Sequence, residues 1–393
     1  MIKWILICLL CFPILVLAEQ NLSAEFQHIL QSHFDEFKDQ EYFSGMTLSI
    51  YMPKEKIQNY YVGKISHDAN SEDISQNTLF EIGSITKSFT AVALLKLEDK
   101  NFSLNQTVGM WLPEYKKWDQ LTLKSLLNMT SGLPNYTDSP LVNAEEYRDI
   151  TRVWKNSELI GYVYPKKSFD PPLKKGYFYT NTGYILLDFI IERITANTFS
   201  NFISEKIIAP AQLQNTFYPS SSTSPSVFKR LAHGYNYNQY DNPSLVGHDM
   251  YGNNLSWAGA AGAMISNSED IIHWVNAIFV ENTLLNSAQK KQLTELISLN
   301  TGKSIKVTTK NDPRGFGLGV VQGYDEDLGN NFWFYQGETL GFRAFYMYVP
   351  CNGVIISTIM NSATNEENNH IHLLMKTVYH TILNKNAHLR CQK

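Results

Sequence analysis

The chain has 393 residues, 44% hydrophobic and 18% charged, with a net charge of −4 at pH 7. This length buries a large core and points to more than one compact unit, and the composition excludes a disordered or fibrous chain. The mild acidity excludes a basic field that would hold nucleic acid or acidic lipid, so no nucleic-acid partner is expected.

In chain order, Lys3 precedes an apolar run from Trp4 to Ala18 that closes on Val16-Leu17-Ala18. The run is short for a membrane span and ends in a small-residue cleavage pattern, so residues 1–18 read as a secretory leader. A periplasmic or secreted protein with no stable membrane span after cleavage follows as the expectation. Cys8 and Cys11 fall in this leader. Cys351 and Cys391 remain, either as one disulfide in an oxidising compartment or as two thiols. No Cys/His cluster has metal-site spacing, and no cofactor-binding loop is present, so neither metal nor cofactor is expected.

Apolar residues at helical spacing (Leu22, Phe26, Ile29, Leu30, Phe34) predict a helix over 22–38. Two alternating segments, 45–51 and 56–62, read as a hairpin around Met52-Pro53-Lys54-Glu55. A helix is expected from Ser84 to about Glu98. Residues 101–245 hold short helical patterns, polar loops and several prolines, with an amphipathic helix over 183–195. A helix is expected over 259–280. Strands are expected at 315–322, 331–336, 342–349 and 353–360, and a last helix from about Glu367 to Leu383. This order predicts an α/β (α+β) architecture, an antiparallel sheet flanked by helices. Residues 19–100 and 246–393 form the sheet domain, and 101–245 an inserted, mostly helical one. The cleft between them is the expected site.

Three short stretches carry chemistry. In Phe80–Phe89, Ser84 and Lys87 lie three residues apart where a loop turns into a helix, a spacing that puts both on one face. A serine needs a base to take its proton, and a desolvated lysine can supply one; alone, the pair is weak evidence and reads first as an N-cap serine and a surface lysine. In Tyr177–Tyr184, Tyr179 can relay a proton and Asn181 can bond a carbonyl and a lysine together, although Asn181 can equally cap the next helix. In Tyr335–Arg343, Gly337 beside a strand permits close backbone approach, and an edge strand there offers an N–H to a developing oxyanion.

In order and spacing these stretches resemble the serine β-lactamase and D-Ala-D-Ala carboxypeptidase superfamily, most closely its class C branch, which also contains esterases and D-amino-acid peptidases. Leu121–Leu127 running into Thr130–Pro134, and Ala258–Gly262 leading to Ile265-Ser266, are similar to the same family. The resemblance covers roughly residues 25–385. It implies a β-lactamase/transpeptidase-like fold and a serine hydrolase working through an acyl-enzyme on an amide or ester of a small molecule or peptide, cell-wall peptide included. Ser84 would be the nucleophile, Lys87 and Tyr179 would share the proton work, and Asn181 would orient Lys87 and the substrate amide. The backbone N–H groups of Ser84 and Glu338 would form the oxyanion hole.

The third stretch departs from the family pattern. Tyr335 stands where relatives carry Lys or His, Gln336 where they carry Thr or Ser, and Glu338 follows Gly337 where a small residue is usual. The fixed cation that would hold a substrate carboxylate is missing, so strong β-lactamase activity is not expected, and a neutral or amine-bearing substrate is favoured. Arg343 either supplies that cation or is a surface strand charge. His233 and His248 belong to no triad and read as solvated or core histidines. The competing reading is a catalytically inactive penicillin-binding-like recognition protein, disfavoured because Ser84, Lys87, Tyr179 and Asn181 are all intact.

Overall fold

The computed structural model describes residues 8–98, 101–166, 170–220 and 223–391, with side chains from residue 22 onward. Of the expected leader, residues 1–7 lie outside the described residues. From Cys8 the chain is one helix, Cys8–Glu41, longer than the expected 22–38. No helix among the described residues is long and apolar enough to cross a membrane.

Nine strands build the main sheet: β1 Gly45–Tyr51, β2 Gln58–Gly63, β3 Leu296–Ser298, β4 Ser304–Ile305, β5 Arg314–Phe316, β6 Val321–Asp325, β7 Asn330–Glu338, β8 Arg343–Val349 and β9 Val354–Met360. Their spatial order is β2-β1-β9-β8-β7-β6-β5-β3-β4, and every pairing is antiparallel. The first hairpin therefore docks on the last strand, joining the two ends of the chain. β8 and β9 are buried along their whole length, which is why they read as continuous apolar runs. On one face lie the N-terminal helix, through Phe26, Leu30 and Phe37, and the C-terminal helix Ile371–Lys385, through Leu374, Val378 and Ile382. The helix Ser268–Val275 packs against β1, β8 and β9, with Ser49 Oγ 2.8 Å from Ser268 Oγ.

Two expected elements are divided. The expected strand 315–322 breaks at Gly317–Val320, where Gly319 takes φ +68° and backs onto the Lys87 carbonyl, so that no side chain fits. The expected helix 259–280 becomes a helical turn Gly259–Gly262, a strand Ile265–Ser266 and the helix Ser268–Val275. Ile265 is drawn out of the helix by pairing with Glu81, which aligns this stretch with the turn Gly83–Ile85. The short strand Tyr235–Tyr237 of the middle segment pairs in parallel with Ser362–Thr364.

Cys351 and Cys391 are joined, fastening the tail to the β8–β9 turn. Arg343 does not serve the cleft, nor is it a surface charge. It is fully buried and makes an ion pair with Glu41 (N–O 2.7 Å). It also donates to the Ser362 carbonyl, Ser362 Oγ and Asn369 Oδ1. His370 Nδ1 lies 2.7 Å from the other Glu41 oxygen. Arg343→Met strands a buried carboxylate, and a loss of about 3–5 kcal/mol in urea unfolding is expected. The double variant Glu41→Leu/Arg343→Met recovers most of that loss, because neither charge is then left alone.

Candidate active site

Ser84 sits in a single 3-10 turn, Gly83–Ile85, that feeds the helix Thr86–Leu97. It is therefore one step ahead of the α-helix that the sequence led us to begin at Ser84, and its hydroxyl caps nothing. The helix is buried on all sides from Thr86 to Leu95, so its polar side chains need internal partners. The backbone of the small-residue stretch supplies them: Thr90 Oγ1 donates to the Ala260 carbonyl (2.7 Å), Met264 N–H donates to Thr86 Oγ1 (3.1 Å), and Lys87 Nζ donates to the Ala261 carbonyl (2.8 Å). Trp274 closes the other flank, stacked on Phe89 with centroids 3.6 Å apart and donating to Ser88 Oγ.

Lys87 is wholly buried and bears no counter-ion within salt-bridge range among the described residues. Desolvation pushes its pKa well below the ordinary lysine value. Its Nζ meets the Asn181 Oδ1 at 2.7 Å, the Ala261 carbonyl at 2.8 Å and Ser84 Oγ at 2.9 Å. The first two are acceptors only. A neutral amine has two N–H bonds, so both are spent there, and the lone pair is left for the Ser84 proton.

Tyr179 Oη lies 2.6 Å from Ser84 Oγ on the other side. The Tyr179 ring borders the open cleft, 40% exposed, yet the protein packed around its hydroxyl pushes its pKa up to about 12. Tyr179 thus stays a phenol at neutral pH. The opposed shifts, with both groups in reach of Ser84 Oγ, suit Lys87 to accept a proton and Tyr179 to donate one.

Asn181 occupies the cap position of the helix Thr182–Thr195 but makes no side-chain cap bond; its carbonyl goes to Lys87 instead. The segment is pinned from behind. Asn181 N–H donates to Asn135 Oδ1, Asn181 Nδ2 donates to Thr137 Oγ1, and Thr182 Oγ1 donates to the Pro134 carbonyl.

β7 is an internal strand rather than an edge. However, its pairing with β6 stops at Phe334, so residues 335–338 have one open side. Because Thr339 N–H bonds the Phe342 carbonyl, the alternation of antiparallel bonds turns the Glu338 N–H away from β8 toward that open side. The nucleophile turn fills it. A Cβ on Gly337 would lie 1.9 Å from the Ile82 carbonyl oxygen, and one on Gly83 (φ +48°) would lie 2.5 Å from the Glu338 nitrogen. The two glycines let the backbones of Ser84 and Glu338 come together as paired N–H donors.

A cavity of about 720 Å³ opens over Ser84, Tyr179 and Asn181. Gln336 and Glu338 line it; Tyr335 does not, being buried beside Phe316 with a hydroxyl that makes no hydrogen bond among the described residues. Tyr335 therefore offers no O–H to a ligand in this cavity. His233 pairs with Asp249 and stacks on Tyr251, His248 lies against Tyr147, and neither lines the cavity. Five carboxylates do: Asp138, Glu146, Asp241, Glu338 and Glu366. Burial, joined by repulsion from Asp241, pushes Glu146 and Glu338 up to about 7. Asp138, Glu146, Asp241, Arg314 and His372 belong to no motif, and only the folded chain gathers them.

Residues 30–377 match the Beta-lactamase family. The chain belongs to the beta-lactamase family. Within that family it is similar to penicillin-binding protein 4* of Bacillus subtilis, 27% identical over 286 residues that cover 70% of this chain and 61% of the relative. It also resembles protein flp of Staphylococcus aureus strain MW2, 26% identical over 73% of this chain and 54% of that protein. The chain thus spans little more than half the length of these relatives. Its fold matches that of D-amino acid amidase from Ochrobactrum anthropi SV3 (TM-score 0.75, 24% identity, 93% of this chain and 99% of that one). It matches D-stereospecific amidohydrolase from Streptomyces similarly (TM-score 0.72, 22% identity, 91% and 98%).

Proposed function

We propose that this beta-lactamase family member is a serine amidohydrolase that forms an acyl-enzyme on Ser84 and prefers small amides or peptides bearing a free amine. The observation that carries the reading is the buried Lys87 amine, 2.9 Å from Ser84 Oγ, with Asn181 Oδ1 and the Ala261 carbonyl at 2.7 and 2.8 Å to take its N–H bonds. The amine preference is supported by five carboxylates around the cavity and by the absence of a cation from Tyr335-Gln336-Gly337. Similarity in fold to a D-amino acid amidase and a D-stereospecific amidohydrolase supports an amide substrate of D configuration. A cell-wall peptide fits this description, and esters with good leaving groups would acylate Ser84 by the same route. Export to the periplasm or beyond is part of the proposal, supported by the apolar Trp4–Ala18 run and by a disulfide suited to an oxidising compartment.

A panel of D-amino-acid amides, D-alanyl peptides, nitrophenyl esters and nitrocefin tests the reading. Hydrolysis of the amine-bearing amides with poor nitrocefin turnover is expected; dominant nitrocefin turnover contradicts it. The pH dependence has a definite sign. Glu146 and Glu338 are protonated below about 7 and ionised above it. The cavity therefore gains negative charge between pH 6 and 8, and KM for a cationic amide should fall by roughly 5-fold, worth about 1 kcal/mol. KM for the N-acetylated analogue should stay level over the same range.

A further inference from the structure

We propose that Glu81 is a positioning residue for the reaction at Ser84: its carboxyl clasps the Thr339 side chain and so holds the Glu338 N–H beside the Ser84 N–H. The inference rests on the amidohydrolase reading above and concerns the residues behind its oxyanion site.

Glu81 stands at the entrance of the Ser84 turn. It belongs to the two-residue strand Phe80–Glu81, pairs with Ile265, and is 1% exposed. The residue after it, Ile82, gives the carbonyl that backs onto Gly337. Thr339 follows Glu338 on the chain, is 4% exposed, and is anchored by its N–H to the Phe342 carbonyl. The side chains of Thr339 and Asn253 both face the Glu81 carboxyl. Glu81 Oε2, Thr339 Oγ1 and Asn253 Nδ2 are each buried without a completed hydrogen bond among the described residues.

Three buried polar atoms at one spot are destabilising unless they satisfy one another. A carboxylic acid does this for both neighbours: its O–H donates to Thr339 Oγ1, and its carbonyl oxygen accepts from Asn253 Nδ2. The surroundings favour that neutral form. Of the charged groups on the flanking elements, Lys87 and Glu338 turn to Ser84 and Asn238, and Asp249 and Arg230 turn to His233 and Asn77. None of them acts on the charge of Glu81, and burial pushes its carboxyl up to about 7. A methionine in that place would pack without burying a carboxyl, so the use of the acid lies in what it holds. It links the strand entering the Ser84 turn to the residue after Glu338, the two segments whose N–H groups converge.

The test follows p-nitrophenyl acetate, a neutral ester, with the full chain. In Glu81→Met, kcat should fall roughly 10- to 100-fold with KM within about 2-fold, part of the worth of one oxyanion donor. Thr339→Val should do the same, and the double variant should lose no more than either alone, because both changes open one clasp. Glu81→Gln keeps a donor and an acceptor in place and should stay within about 3-fold of wild type at pH 6. It cannot ionise, whereas wild-type Glu81 loses its proton above about 7. The ratio of the Glu81→Gln kcat to the wild-type kcat should therefore climb about 5-fold from pH 6 to 8. Lys87, Glu146 and Glu338 titrate alike in both proteins and cancel from that ratio. A loss carried by KM, additive losses in the double variant, or a flat ratio overturns the proposal. Should Glu81→Met not fold, Thr339→Val and the Glu81→Gln ratio decide by themselves. If the wild type turns over neither this ester nor a D-amino-acid amide, the amidohydrolase reading fails on its own. Hydrogen exchange at the Thr339 N–H then decides the clasp. Exchange 10-fold or more faster in Glu81→Met than in wild type and Glu81→Gln supports it, and an equal rate in all three overturns it.

Discussion

Lys87→Ala should slow acylation of Ser84 by roughly 10²- to 10⁴-fold, the usual worth of a positioned general base. Among the described residues, the variant removes the only group in hydrogen-bond reach of Ser84 Oγ that can accept its proton at neutral pH, since Tyr179, pushed up to about 12, holds its own. A second variant separates basicity from mere charge. Lys87→Arg keeps a cation but cannot deprotonate at any working pH. Near-normal acylation in Lys87→Arg would mean that positive potential, rather than proton transfer, activates Ser84. For the wild type, acylation should weaken as pH falls and the amine takes up a proton, the acid limb lying well below where an ordinary lysine titrates. Loss of that limb in Lys87→Ala, leaving a flat low rate, is the accompanying sign.

Gly337→Ala should cost roughly 10²- to 10³-fold in kcat, the price of an oxyanion donor removed from position. The glycine is required here for space and not for backbone conformation. Its missing Cβ would sit 1.9 Å from the Ile82 carbonyl oxygen and 3.1 Å from the Ile85 nitrogen, both backbone atoms of the nucleophile turn. The turn and β7 must therefore separate, which carries the Glu338 N–H away from Ser84. The β7–β8 pairing from Trp333 to Gln336 precedes the changed position, so the protein should still fold, with a cooperative thermal transition. A folded Gly337→Ala enzyme with wild-type kcat would remove Glu338 N–H from the mechanism.

The sequence revealed those parts of the fold that repeat locally. The alternating hairpin at 45–62 and the buried runs 342–349 and 353–360 showed themselves because packing on one or two faces imposes period or continuity. The two pairs that the fold brings together around Ser84 Oγ and Lys87 Nζ were also readable, since Ser84 and Lys87 are one helical turn apart and Tyr179 and Asn181 share a short strap. Long-range geometry was hidden. Nothing in the run Arg343–Val349 indicates that its first residue turns inward to Glu41, some 300 positions earlier, because an exposed and a buried arginine look alike without the partner in view. Short strands such as Ser304–Ile305 and Tyr235–Tyr237 carry too few residues to show a period at all.

The most direct measurement is the mass of the peptide containing Ser84 after treatment of the purified protein with a fluorophosphonate. A single adduct on Ser84, absent from Ser84→Ala and strongly slowed in Lys87→Ala, is the expected result. An unmodified Ser84, or an adduct on a different residue, would contradict the account.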